Sequence, residues 1–209
     1  MKAGWKWLLA TVALAGSLVA QAAQPWINMP NPMPVQAPKG KVEVIEFFWL
    51  GCPHCYHLEP KLNAWLKTLP ADVQFRRVHA AWNAGMQKHA QLYATIETLK
   101  MPQLIGPAFD AIHKQELELR DADVVKDWAG KQKVNGKPLN AATFMGVYNS
   151  FGVQTYANRA PKVTQDYGIS GVPTFVVQGK FMTSVSDAGG EDQLFAVLNQ
   201  LIAQSRKAP

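Results

Sequence analysis

Both cysteines of the 209-residue chain lie in one short stretch, Gly51-Cys52-Pro53-His54-Cys55-Tyr56, where a strand-like run gives way to a helix-like one. Val42 to Leu50 is β-branched and aromatic, continuous enough for a strand buried on both faces. From Tyr56 the period changes, and Leu58, Leu62, Trp65, Leu66 and Leu69 follow helical spacing until Pro70 ends the helix. Val73 to Ala80 reads as a second strand, so the stretch forms a β-α-β unit with a parallel sheet. This order sets Cys52 at a helix N-terminus, where unpaired backbone N–H groups and the helix dipole stabilise a thiolate. Pro53 suits the first helical turn, which needs no N–H, and His54 can bring positive charge to Cys52. Cys52 is then expected at an exposed helix start, as the sulfur that a substrate thiolate attacks. Cys55, one turn in, is expected to be buried and to resolve the mixed disulfide.

The strands stop after Ala80. Met86 to Lys100 sets His89, Leu92, Tyr93, Ile96 and Leu99 along one helical face. Gly106-Pro107 opens another helix with Ala108, Phe109 and Ile112 inward, and Asp121 can cap a third carrying Val124, Val125 and Trp128. Asn135-Gly136 is a turn signal. Asn140 can cap a helix with Phe144, Val147, Tyr148 and Phe151 on one stripe. Val153 to Tyr167 forms the last helix of the block, in which Pro161 predicts a kink or a break. Then Thr174 to Val177, the Gln178-Gly179 turn and Lys180 to Ser184 predict a hairpin. A closing helix buries Leu194, Phe195, Leu198, Leu201 and Ile202. The order is β-α-β, a helical block of about eighty residues that reads as an insertion, then β-β-α. Ahead of it all, Pro25, Pro30, Pro32, Pro34 and Pro38 predict an extended lead-in with little regular structure.

Lys2 and Lys6, the apolar stretch Leu8 to Val19 and the small-x-small Ala20-Gln21-Ala22 make residues 1–22 a cleavable export signal, cut after Ala22. The apolar stretch is short for a bilayer core about 30 Å thick, so a soluble, exported mature protein is expected. The signal takes two lysines and no acid, leaving 19 basic residues against 15 acidic ones. That excess is mild, and Arg76-Arg77 read as the flank of a strand, which argues against a nucleic-acid partner. In an oxidising compartment two cysteines ordinarily form a structural bridge. A bridge gains most by closing a long loop, however, and Cys52 and Cys55 close a very short one. The pair is therefore read as a redox-active disulfide, with no further cofactor.

By strand parity Glu46 shares a face with Val42, Val44 and Phe48, six positions before Cys52. A lone ionised acid in a buried strand is costly. Glu46 is therefore either satisfied by a neighbouring lysine or water, or it serves as proton acceptor and donor for Cys55. In Gly171-Val172-Pro173-Thr174 a proline before a strand is ordinarily a start signal. In a thiol–disulfide fold, a cis Val172–Pro173 bond would turn the preceding backbone toward the cysteines, ready to pair with an incoming peptide. Cys52, His54, Cys55 and His57 are a dense Cys/His cluster. Ligands so close on one helical turn hardly converge tetrahedrally, so no metal site is expected. His79, His89 and His113 read as packed or surface histidines, and Trp26, Trp65, Trp82 and Trp128 as core or interface residues.

Glu46-Phe47-Phe48, the motif Cys52-Pro53-His54-Cys55-Tyr56 and Gly171-Val172-Pro173 together resemble the DsbA family of bacterial periplasmic thiol:disulfide oxidoreductases. The resemblance covers nearly the whole mature chain. It implies an α/β, thioredoxin-like fold with an inserted helical domain: residues 23–83 and 166–209 as the two parts of the thioredoxin-like domain, and 84–165 as the insert. It implies an enzyme in which Cys52 is the nucleophile, Cys55 its partner, His54 the residue tuning Cys52, Glu46 the buried acid and Val172-Pro173 the cis-proline site. Glu59 matches an acid that follows the family's motif. Such an enzyme donates its Cys52–Cys55 disulfide to exported proteins with free cysteines, acts as a monomer, and is reoxidised by a DsbB-like, quinone-linked oxidase of the inner membrane. The surface around Cys52, with Trp49, Leu50 and Val172, is expected to receive unfolded chains by sequence-tolerant backbone pairing. Trp49-Leu50-Gly51 and the Pro-rich lead-in depart from the best-known members. One rival is an isomerase or reductase, but the about thirty mature residues before Cys52 are too few for the dimerisation domain of the family's isomerases. The others are a peptide-binding module with an incidental disulfide and a zinc-binding protein.

Overall fold

A strand forms where the β-branched and aromatic run predicts one, Val42–Phe48, and all seven of its residues are buried. The computed structural model describes residues 24–207, so the expected export signal at 1–22 lies outside the described residues. Among the described residues the strands are β1 (Ile27–Asn28), β2 (Val42–Phe48), β3 (Val73–His79), β4 (Lys133–Val134), β5 (Lys137–Pro138), β6 (Thr174–Val177) and β7 (Phe181–Ser184). The helices are α1 (Pro53–Leu66), α2 (Ala84–Thr98), α3 (Ile105–His113), α4 (Ala122–Gly130), α5 (Ala141–Tyr148), α6 (Phe151–Asp166), α7 (Val185–Ala188) and α8 (Glu191–Lys207).

The main sheet runs β1-β7-β6-β2-β3. β2 pairs in parallel with β3, Val42 against Val73 through Phe48 against His79, and antiparallel with β6. On one face Val42, Val44, Phe175 and Val177 pack on Leu58 and Leu62 of α1 and Leu194, Leu198 and Leu201 of α8. On the other, Ile45, Phe47 and Val176 meet Tyr167 and Ile169, just past α6. Full burial stabilises by about 1.5–3 kcal/mol for each large apolar side chain, so two-sided burial explains why β2 sits in the middle.

Helices α2 to α6 lie between β3 and β6. Asn83, Asp121, Asn140 and Ser150 cap α2, α4, α5 and α6, each side chain accepting backbone N–H bonds of the first turn. Their core, with Leu92, Ile96, Phe109, Val125, Trp128 and Phe144, is continuous with Phe48, Leu50 and Cys55. The cysteines therefore sit on the seam between the sheet and the helical block.

Several local expectations are corrected. Of the kink or break expected at Pro161, the break does not occur: Pro161 lies inside α6 without ending it. Ala157 and Ala160 of α6 pack against Met86 and Ala90 of α2, and that contact holds the two halves in one helix. Phe151 does not continue the stripe of α5: Ser150 caps a new helix and Phe151, its first residue, is 86 % exposed. Trp82, expected in a core or an interface, is not in a core: it is 46 % exposed just before α2. The Pro-rich lead-in, by contrast, has little regular structure, as expected: its one strand, β1, is two residues long, and Met33 N–H donates to the Gly179 carbonyl.

Candidate active site

Cys52 is the N-cap of α1, with extended backbone (φ −87°, ψ 116°), and its Sγ accepts the Cys55 N–H at 3.3 Å. Pro53 occupies the first helical position, where its missing N–H costs nothing. The Cys52 N–H donates to the Trp49 carbonyl at 2.9 Å, fixing the turn from strand to helix. As a thiol, Cys52 donates to the Val172 carbonyl at 3.4 Å. The helix start does not leave Cys52 open as expected: it is only 4 % exposed, because the Val172 segment covers it. Cys55 is buried as well, and both cysteines are free thiols.

The two sulfurs differ sharply in acidity. The Cys55 side chain, hydrogen-bonding to the Cys52 sulfur, brings Cys52 down to about 6 against opposing burial, helped by the N–H groups of Cys55 and His54 and by His54's charge. Burial pushes Cys55 up, and so do the hydrogen bond and charge of Cys52 and the charge of Glu46. Near neutrality the pair therefore holds one proton, on Cys55, and one thiolate, on Cys52.

Beneath them lies a charged triad. Glu46, in the middle of β2, faces Arg77 across the parallel pair. Arg77 Nε donates to Glu46 at 2.7 Å and its Nη2 to Glu59, one turn beyond Cys55, also at 2.7 Å. Burial raises the Glu46 carboxyl to about 7 although Arg77 pulls it down. Burial works against the Arg77 charge, but the two carboxylates overcome it and keep the guanidinium protonated. The partner of Glu46 is thus an arginine of the neighbouring strand. The adjacent pair Arg76-Arg77 is no mere flank, since Arg76 in turn binds Glu43. Strand parity carried the signal: Phe75, Arg77 and His79 alternate onto one face of β3.

Val172–Pro173 is cis, as expected. With exposed His54 it lines a groove of about 530 Å³ that also involves Met182, Asp187 and Glu191. Trp49 is half-buried beside Cys52, but Leu50 is fully buried in the helical core. Leu50 therefore cannot form part of the surface around Cys52, because its side chain is turned inward from the end of β2. His57 is 78 % exposed and lies 3.7 Å from Glu191. His79, His89 and His113, read as bland, all touch Trp49 or Leu50. A low-pKa thiolate at a helix start, paired with a more deeply held thiol of raised pKa, is a thiol–disulfide exchange centre.

Known proteins agree with that chemistry. The family described as DSBA-like thioredoxin domain matches residues 72–201. The thiol:disulfide interchange protein DsbA of Bordetella parapertussis is 42 % identical over 201 residues, covering 96 % of this chain and 93 % of the relative. The crystal structure of Pseudomonas aeruginosa DsbA superposes with a TM-score of 0.80 at 34 % identity, covering 88 % of this chain and 93 % of that one. The oxidoreductase NmDsbA1 from Neisseria meningitidis superposes at 0.72 with 30 % identity, covering 88 % and 95 %. With its cysteine-bearing helix start, its thioredoxin-like sheet and these relatives along nearly its whole length, the chain belongs to the DsbA family of thiol:disulfide interchange proteins.

Proposed function

We propose that this protein works as an oxidant in the periplasm, donating the Cys52–Cys55 disulfide to newly exported proteins that carry free cysteines. A substrate thiolate attacks Cys52 Sγ, the Cys52–Cys55 bond breaks, and Cys55 leaves and takes up a proton. A second substrate thiolate then attacks the substrate sulfur of the mixed disulfide and displaces Cys52 as a thiolate. Two electrons pass to the enzyme, and the substrate leaves with a new disulfide. The observation that carries this direction is Cys52 at the N-cap of α1, brought down to about 6. Stabilising the thiolate stabilises the reduced enzyme, and that makes its disulfide the stronger oxidant.

The other residues take roles around this step. Glu46, buried and held by Arg77, is placed to exchange the proton of Cys55. His54 adds positive charge near Cys52. Val172, preceding Pro173, offers its backbone to the incoming chain, and Trp49 is the apolar neighbour on the same side. No cofactor beyond the disulfide is invoked. Restoring the disulfide requires an acceptor for two electrons, for which a DsbB-like, quinone-linked membrane partner is proposed. A monomer, exported by a signal cut after Ala22, fits this cycle, with the thioredoxin-like parts carrying the cysteines and the helical insert covering them.

Equilibration with glutathione mixtures tests the direction. A potential well above about −270 mV, the value of the reductant thioredoxin, is expected. A value close to that figure would overturn the oxidant reading and leave a reductase.

A further inference from the structure

Three imidazoles from three different elements converge on the two residues that link β2 to the cysteine turn. Trp49 Nε1–H donates to His89 Nδ1 of α2 at 2.9 Å, with the two ring planes 29° apart and their centroids separated by 6.1 Å. His89 Nε2 then carries its proton and donates to the Glu118 carbonyl. Leu50 N–H donates to His79 Nε2 of β3 at 3.2 Å, and His113 Nε2 of α3 donates to the Leu50 carbonyl at 2.8 Å. Both polar backbone groups of Leu50 are thus held by imidazoles. Burial keeps His79 and His89 neutral, the state their acceptor nitrogens require: His79 lies well below the usual range and His89 at about 4. His113 is further fixed by stacking on Tyr56, with centroids 4.8 Å apart and nearly parallel planes. Gly51 completes the seat, since a Cβ there would stand 2.4 Å from the Trp49 ring.

The segment so held is joined directly to the cysteine turn. The Trp49 carbonyl accepts the Cys52 N–H, and the Trp49 backbone works weakly against the burial that pushes Cys55 up. A shift of Trp49–Leu50 would move the N-cap residue of α1 and the N–H groups that face Cys52. Packing alone does not need imidazole here: a leucine or phenylalanine would fill the same space without holding a backbone group.

We propose that His79, His89 and His113 form a positioning clamp on Trp49–Leu50 that sets the helix start against the two sulfurs, and with it the redox balance of Cys52 and Cys55. The clamp rests on thiol–disulfide exchange at this pair and not on the direction in which the enzyme runs. It makes the three histidines positioning residues, none of which touches the substrate.

His113 offers the sharpest test because it is only half-buried. His113→Phe keeps a ring to stack on Tyr56 and removes the donor to Leu50, whereas His113→Gln keeps a donor. The readouts are the equilibrium constant with glutathione and the ultraviolet titration of the Cys52 thiolate in the purified protein. His113→Phe is expected to move the equilibrium at least about fivefold toward the disulfide, equivalent to about 20 mV, and to raise the thiolate midpoint. His113→Gln should stay within about twofold of the unaltered protein on the same scale. Trp49→Phe, which removes the indole donor to His89, should shift both readouts in the same direction, and it carries the test if His113→Phe fails to fold. A lowered melting temperature with both redox readouts unchanged overturns the proposal, as do equal shifts in the Phe and Gln variants. Because each variant is compared with the unaltered protein, a potential near that of thioredoxin would sink the donor reading and leave the clamp standing.

Discussion

At the scale of single residues, Arg77 governs the charge beneath the cysteines. Its guanidinium meets Glu46 and Glu59 at 2.7 Å each, so the triad carries a net negative charge only when both acids are ionised. The folded Glu46 carboxyl stands at about 7 against an ordinary 4.5. A raised carboxyl opposes folding when ionised: the cost is absent below the ordinary value, grows between the two and is complete above the folded one. Arg77→Met takes away the compensating charge and leaves two buried acids without it. Removing one partner of a buried ion pair costs about 3–5 kcal/mol. The loss should be largest at about pH 8 and smaller at about pH 5, where Glu46 can take up a proton. Urea denaturation of the oxidised protein at the two pH values measures it. Equal losses would mean that Glu46 is neutral throughout and that Arg77 answers to Glu59 alone.

At the scale of elements, the lead-in is held by one close approach. Gly179 has φ +62°, and a Cβ there would lie 2.1 Å from the Met33 carbonyl oxygen. The backbone of the lead-in and the β6–β7 turn can touch only because this residue has no side chain. Gly136, in the β4–β5 turn, has a similar φ of +77° but open space around it. Gly136→Ala should therefore cost only the left-handed strain, about 1–2 kcal/mol, while Gly179→Ala should cost at least about 1 kcal/mol more. Urea midpoints of the two variants decide the matter, and equal costs would show that the Met33 contact contributes nothing. The same elements show what the sequence makes legible. β2, α1 and the β6–β7 hairpin follow from local period, and the site motif stands on their junction, so Cys52, Cys55 and Val172-Pro173 could be located from the chain alone. β1 could not: it is two residues long, and its partner β7 lies more than 150 positions away. α6 runs through Pro161 because packing on α2 outweighs a local preference. Arg77 and Leu50 were misread because strand register decides which of two neighbouring arginines meets Glu46 and which side of the cysteine turn Leu50 faces.

At the scale of the whole molecule, the exchange chemistry and the stability of the fold are coupled, because Cys52 and Cys55 belong to the core that joins sheet and helices. In most proteins a disulfide stabilises by restricting the unfolded chain, but a bridge across two intervening residues restricts it very little. Reduction, in contrast, creates a thiolate that the folded protein binds well. The folded Cys52 stands at about 6 against an ordinary 9.0. A depressed acid stabilises the fold fully above its ordinary value, and the contribution is lost as pH falls through the folded one. The reduced protein should therefore be more stable than the oxidised protein at about pH 8, the reverse of a structural disulfide. That advantage should shrink by up to about 2.5 kcal/mol between about pH 8 and about pH 5. Glu46 titrates in both forms and largely cancels in the difference, so the pH dependence of the gap isolates Cys52. Paired urea curves of the two forms across this range measure it. A gap that does not change with pH would mean that folding leaves the acidity of Cys52 unaltered, and the N-cap position would then give the enzyme no oxidising power.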